Sequence, residues 1–125
     1  MAKETRLELR IGTDFAFLFP VLNEDEDEAI NISGWALSFM IKRAASDSDA
    51  AALLTLTTAA AITIAGTYNV DPDVNAQRAT VAVADTDTDA LASGSAQWEL
   101  KRTDAGFETI LGYGEMRLYR TLHRT

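Results

Sequence analysis

The stretch "SAQWELKRTDAGFETILGYGEMRLYR", Ser95 to Arg120, decides the fold. Ala96, Trp98 and Leu100 take every second position, with Gln97, Glu99 and Lys101 between them. A period of two marks a strand with one buried face, because successive side chains leave the pleat on opposite sides. "TDAG", Thr103 to Gly106, then supplies a hairpin turn in which Gly106 is free to take a positive φ. "FETILGYG" and "EMRLYRTL" read as two further strands that complete the sheet.

Outward from this hairpin the same alternation recurs. "TRLELRI" sets Leu7, Leu9 and Ile11 against Arg6, Glu8 and Arg10. "DFAFLFPVL" keeps Phe15, Phe17, Phe19 and Val21 in phase, and Pro20, which has no amide hydrogen, predicts an edge position or a bulge there. In "WALSFMIKR", Trp35, Leu37, Phe39 and Ile41 point inward. "LLTLTT" and "ITIAG" read as two short strands or one broken one, and "RATVAVA" as another. The five acids Glu24 to Glu28 predict an exposed loop, as does "GTYNVDPDVNAQ", rich in turn formers. About seven to nine short strands, with no helix beyond two turns, predict an all-β antiparallel sandwich, jelly-roll or Ig-like. Residues 1–125 form one domain on this basis, with an N-terminal arm over 1–12 and a basic tail over 120–125.

Composition narrows the function. The apolar share is 47%, enough for a core in a chain of 125 residues. There are no cysteines, which excludes disulfides and thiolate metal sites. Nineteen acids against eleven bases give a formal charge of −8, a field that disfavours nucleic acid and anionic lipid. Lys42 with Arg43, and the C-terminal bases, read as salt-bridging or solvated positions. No apolar run has the length of a membrane span, and "MAKETRLELR" is not a secretory signal, so a soluble chain is expected.

"VADTDTDALASG" raises the possibility of a calcium loop, since Asp85, Asp87 and Asp89 alternate as its first ligands do. Such a loop needs glycine at its sixth position and a bidentate glutamate at its twelfth. Those positions hold Ala90 and Ala96. The simpler expectation is a helical turn near residues 86–92. Thr86 and Asp89 approximate a capping box, Leu91 returns to the core, and Gly94 ends the turn. Catalytic signatures are equally thin. His123 is the only histidine and is the third residue from the end, and "GYG" lacks the spacing of a phosphate loop. No enzyme activity, cofactor or metal is expected.

Three segments, "INISGWALSFMIKRAASDSDAAALLTLT", "ATVAVADTDTDALASGSAQWELKRTDAG" and "GYGEMRLYRTLHR", resemble small phage virion β-sandwich proteins, including the N-terminal domain of the siphophage baseplate upper protein. The resemblance spans roughly residues 14–122 through short, low-complexity motifs. It implies a β-sandwich and a non-enzymatic part of a virion, in tail, baseplate or capsid, among other virion proteins and copies of itself. No catalytic residue carries over. Independently, the N-terminal segment reads as a strand that could extend a neighbour's sheet. Arg6, Glu8, Arg10, Arg117, Tyr119, Arg120, His123 and Arg124 are the candidate partner-binding residues, with Tyr119 equally placed for the core. The rival function is a carbohydrate-binding module, which requires Tyr68, Tyr113 or Tyr119 exposed in a shared groove.

Overall fold

Alternation in the sequence becomes alternation in burial. The computed structural model describes residues 3–20, 32–44, 46–58, 60–64 and 78–120. Its strands are β1 (Lys3–Glu4), β2 (Leu7–Ile11), β3 (Phe15–Pro20), β4 (Leu37–Lys42), β5 (Leu54–Thr57), β6 (Ile62–Ile64), β7 (Arg78–Val83), β8 (Gly94–Arg102) and β9 (Thr109–Arg120). Along β4, Leu37, Phe39 and Ile41 are buried; along β7, Ala79, Val81 and Val83; along β8, Ala96, Trp98 and Leu100. The loops expected at 24–28 and 66–77 lie outside the described residues.

Two sheets face each other. One runs β1-β9-β8-β4-β5, with β2 also on β9, and the other runs β3-β7-β6. One sheet thus carries the fourth, fifth, eighth and ninth strands, and the other the third, sixth and seventh. That partition is the Ig-like form of the sandwich rather than the jelly-roll. Antiparallel pairing, as expected, joins β3 to β7, β7 to β6, β5 to β4, β4 to β8 and β8 to β9.

The N-terminal strands depart from that expectation. They run parallel to β9, with Leu7 opposite Met116 and Leu9 opposite Leu118. This register places the apolar face of "LELRI" beside two buried residues of β9, and Leu9 and Ile11 are buried in consequence. Within the segment read as an arm, β1 and β2 are therefore an integral edge of the chain's own sheet, paired on one side with β9.

Aromatic rings join the layers. Phe19 of β3 stacks on Trp98 of β8 with centroids 5.3 Å apart, and Phe39 lies 5.9 Å from both Phe17 and Trp98. Antibody-type domains tie the corresponding two strands with a disulfide. Here, in a chain without cysteine, ring stacking spans the same gap.

Two glycines explain why the last strand looked broken in the sequence. Gly112 and Gly114 take inward positions of the single strand β9, in line with buried Met116 and Leu118. Gly114 lies opposite Trp98. With no side chain there, the Thr5 backbone crosses over the glycine and its carbonyl accepts the Trp98 indole N–H at 2.8 Å. The edge strand is interrupted at that point, yet its register is the same on both sides: Lys3 faces Gly112 and Leu7 faces Met116.

The expected helical turn is present but begins earlier, at Asp85–Thr88. Its N-cap is Ala84 rather than Thr86, and Asp87 accepts the Ala84 amide at 2.9 Å. The buried Thr88 hydroxyl accepts the Gly12 amide at 2.9 Å, which ties the turn to the link between β2 and β3. Asp87 caps the turn and Thr88 ties it to Gly12, the roles expected of Thr86 and Asp89, because the chain leaves β7 directly into the turn.

Candidate functional site

The sheet that ends in β2 presents its outward residues as a row of charged and aromatic groups. Parallel pairing sets Glu8 beside Arg117 and Arg10 beside Tyr119. The Tyr119 hydroxyl donates to Glu8 at 3.3 Å, while the Arg10 guanidinium lies over the Tyr119 ring at 5.1 Å. Arg117 donates to the Ser95 hydroxyl at 3.2 Å, and Arg6 pairs with Glu115 at 3.6 Å. Tyr119 thus lies on the outward face, and Met116 and Leu118 take the core positions. Exposed pairs of this kind contribute little to stability. What they provide is an ordered surface: side chains held in place, three arginines against two glutamates, with an aromatic plane among them.

Sequence reasoning proposed eight contact residues, and the fold gathers five of them here: Arg6, Glu8, Arg10, Arg117 and Tyr119. Arg120 belongs to the opposite parity. It follows Met116 and Leu118 on the inward side of β9 and pairs with Ile11, emerging into solvent where the core ends. His123 and Arg124 lie outside the described residues. The parallel contact that makes the cluster was not visible in the sequence, where Glu8 and Arg117 are far apart.

Farther along the same face lies a concavity of about 440 Å³. Met40, Lys42, Gln97, Glu99, Lys101 and Tyr113 contribute to its lining. Tyr113 is 42% exposed, as is Ile110 beside it. Met40, Glu99 and Tyr113 form one cross-strand row, so an apolar and aromatic floor meets hydrogen-bonding groups. Tyr119 is not part of this lining, and Tyr68 lies outside the described residues. Among the described residues, Tyr113 is the tyrosine of the expected groove that lines this concavity. Met40, Gln97 and Glu99 are not among the contact residues expected from the sequence. Their outward parity was the available signal, but which strands are neighbours was not.

Several other charges have structural partners. Lys42 donates to Asp49 at 2.7 Å and to the Asp47 carbonyl at 3.0 Å, and it holds the Asp49 carboxyl below its ordinary value. Arg43 donates to the carbonyls of Ala92 and Ser95, fastening the segment before β8. In the helical turn, Asp87 is used as described, and Asp85 accepts the Thr86 amide at 2.8 Å. Among the described residues, no group of three or more acids or histidines is placed to hold a metal ion.

At the hairpin end, the Arg102 guanidinium lies between the Trp35 ring at 3.9 Å and the Phe107 ring at 4.8 Å. Asp104 accepts from Arg102 at 2.8 Å and from the Ala36 amide at 2.9 Å. The Arg102 hydrogen bond, then the Ala36 amide, lower the Asp104 carboxyl below its ordinary 3.8. A carboxyl depressed on folding contributes stability that is fully present above its unfolded value and is lost as pH falls through its folded one. Asp104→Asn is therefore expected to melt below the unchanged chain at neutral pH. That gap should close as pH drops below about 4, as thermal melts across the acid range would record.

Compared with family models and with curated proteins, the chain matches none.

Proposed function

We propose that this chain is a non-enzymatic structural protein of a bacteriophage particle, held in the tail, baseplate or capsid by protein–protein contacts. The observation that supports this most is the ordered outward cluster of Glu8, Arg10, Arg117 and Tyr119. Arginine and tyrosine are enriched where proteins meet, and a locally basic patch on a chain of charge −8 gives docking an orientation. The sequence resemblance to virion β-sandwiches points the same way. Other virion proteins and further copies of the chain are the partners on this reading, and the particle is its location.

Purified particles test it. The chain should co-sediment with them at a fixed copy number, and an Arg10→Glu/Arg117→Glu variant that still folds should be incorporated at least about tenfold less. A chain that never co-sediments, or a charge-reversed variant incorporated normally, would count against the proposal.

The concavity around Tyr113 favours a second reading, a carbohydrate-binding module. An exposed ring flanked by Gln97, Glu99 and Lys101 can stack on a sugar face and bond its hydroxyls. Saturable quenching of intrinsic fluorescence by oligosaccharides, abolished in Tyr113→Ala, would support this reading over the first.

A further inference from the structure

The charges around the Tyr113 concavity do not cancel evenly. Two lysines line it, and each already has an acid: Lys42 pairs with Asp49 at 2.7 Å and Lys101 with Glu108 at 3.7 Å. Lys42 also donates to the Asp47 carbonyl, and 18% of its side chain stays exposed. Tyr113 itself stands between two acids. Cross-strand register sets Glu99 of β8 on one side of it and Glu4 of β1 on the other. Glu4 and Glu99 take part in none of the ion pairs among the described residues. An exposed ring beside two unneutralised carboxylates attracts a cation twice, through its π face and through their charge. Beyond Glu99 the row ends in Met40, whose thioether adds a soft apolar wall. Ser38, Gln97 and Thr103 bring hydrogen-bonding groups to the same lining.

The geometry points to an amino sugar with a free ammonium as the ligand of this concavity, a specificity that rests on the carbohydrate-binding reading of the same site. The sugar ring lays its apolar C–H face on Tyr113, and its ammonium lies against Glu99. Its hydroxyls meet Ser38, Gln97 and Thr103. N-Acetylation removes the positive charge and leaves the rest of the sugar in place. The contact with Glu99 therefore distinguishes the two forms. A concavity of about 440 Å³ is of the size that takes small molecules. The chain's charge of −8 favours the same occupant, because the field of the whole molecule draws a cation in and holds anionic sugars off.

Titration calorimetry with a trimer of β-1,4-linked glucosamine and with its N-acetylated counterpart tests the inference, at a pH that keeps the amines protonated. The unchanged chain should bind the amine form at least about tenfold more tightly. Glu99→Gln keeps the shape of the side chain and removes its charge. It should weaken the amine form at least about tenfold and leave the N-acetylated trimer as it was. Asp89→Asn removes an equal charge from the end of the helical turn, outside the lining, and should change neither affinity. Equal binding of the two trimers overturns the inference and leaves the carbohydrate reading standing. Binding of neither trimer overturns both. A preference that survives Glu99→Gln, or that Asp89→Asn lowers as much, comes from net charge alone and overturns the inference equally.

Discussion

Trp98→Ala should lower the stability of the folded chain by about 3–5 kcal/mol, the range for removing a large buried ring. Trp98 is 3% exposed and stacks on both Phe19 and Phe39, so its loss opens a cavity between the two sheets. It also removes the donor to the Thr5 carbonyl. Small domains have only about 5–15 kcal/mol in total, so this one change consumes a large part of the margin. Trp98→Phe separates the two contributions. It keeps most of the ring contact but leaves the carbonyl without its donor, at a cost of about 1–3 kcal/mol. Urea denaturation of the three proteins would give the order unchanged, Phe, Ala. Equal destabilisation by Phe and Ala would show that stacking across the layers contributes little.

Gly114→Ala should be nearly as damaging, although it adds a single methyl. Gly114 has φ 154°, a backbone conformation that residues with a Cβ rarely adopt. A Cβ built there overlaps the Thr5 carbonyl oxygen and comes 2.9 Å from its carbonyl carbon. Both neighbours are backbone, so no side-chain rotation relieves the overlap. Backbone strain and overpacking each cost about 1–3 kcal/mol, and together they place the loss near 3. The effect should also be localised. Thr5 has to move off Gly114, breaking the indole bond and loosening β1 before the rest of the sandwich yields. Hydrogen exchange should show the Thr5 amide, which donates to the Tyr113 carbonyl, losing protection while β4 and β8 keep theirs. Gly106→Ala is a useful comparison, because its positive φ is strained but no atom lies within 4 Å of the added Cβ.

The outcome for these residues shows how far the sequence could be read. Alternation at Leu37–Lys42 and Gly94–Arg102 identified strands and their buried faces, because period-two patterning is a local property of the chain. The turn at Gly106 was legible for the same reason, and its φ is 83°. Alternation does not say which strand is whose neighbour. Glu8 and Arg117 were singled out separately, but their meeting depends on β2 running parallel to β9, a choice made by apolar faces distant in sequence. "GYG" misled in a related way. Gly112 and Gly114 looked like punctuation between two strands, whereas they clear space inside one strand for Trp98 and the Thr5 backbone. The capping of the helical turn moved by two residues because a serine- or threonine-first pattern was assumed, and Asp87 reaches back to Ala84 without one.

The outward cluster exists only if the N-terminal strand lies parallel to β9. Interstrand nuclear Overhauser contacts of the isolated chain measure this directly. The expected result is a parallel set of backbone contacts linking Leu7 with Met116, Leu9 with Leu118 and Ile11 with Arg120. An antiparallel set, or contacts from Leu7–Ile11 to β3 in place of β9, would contradict it.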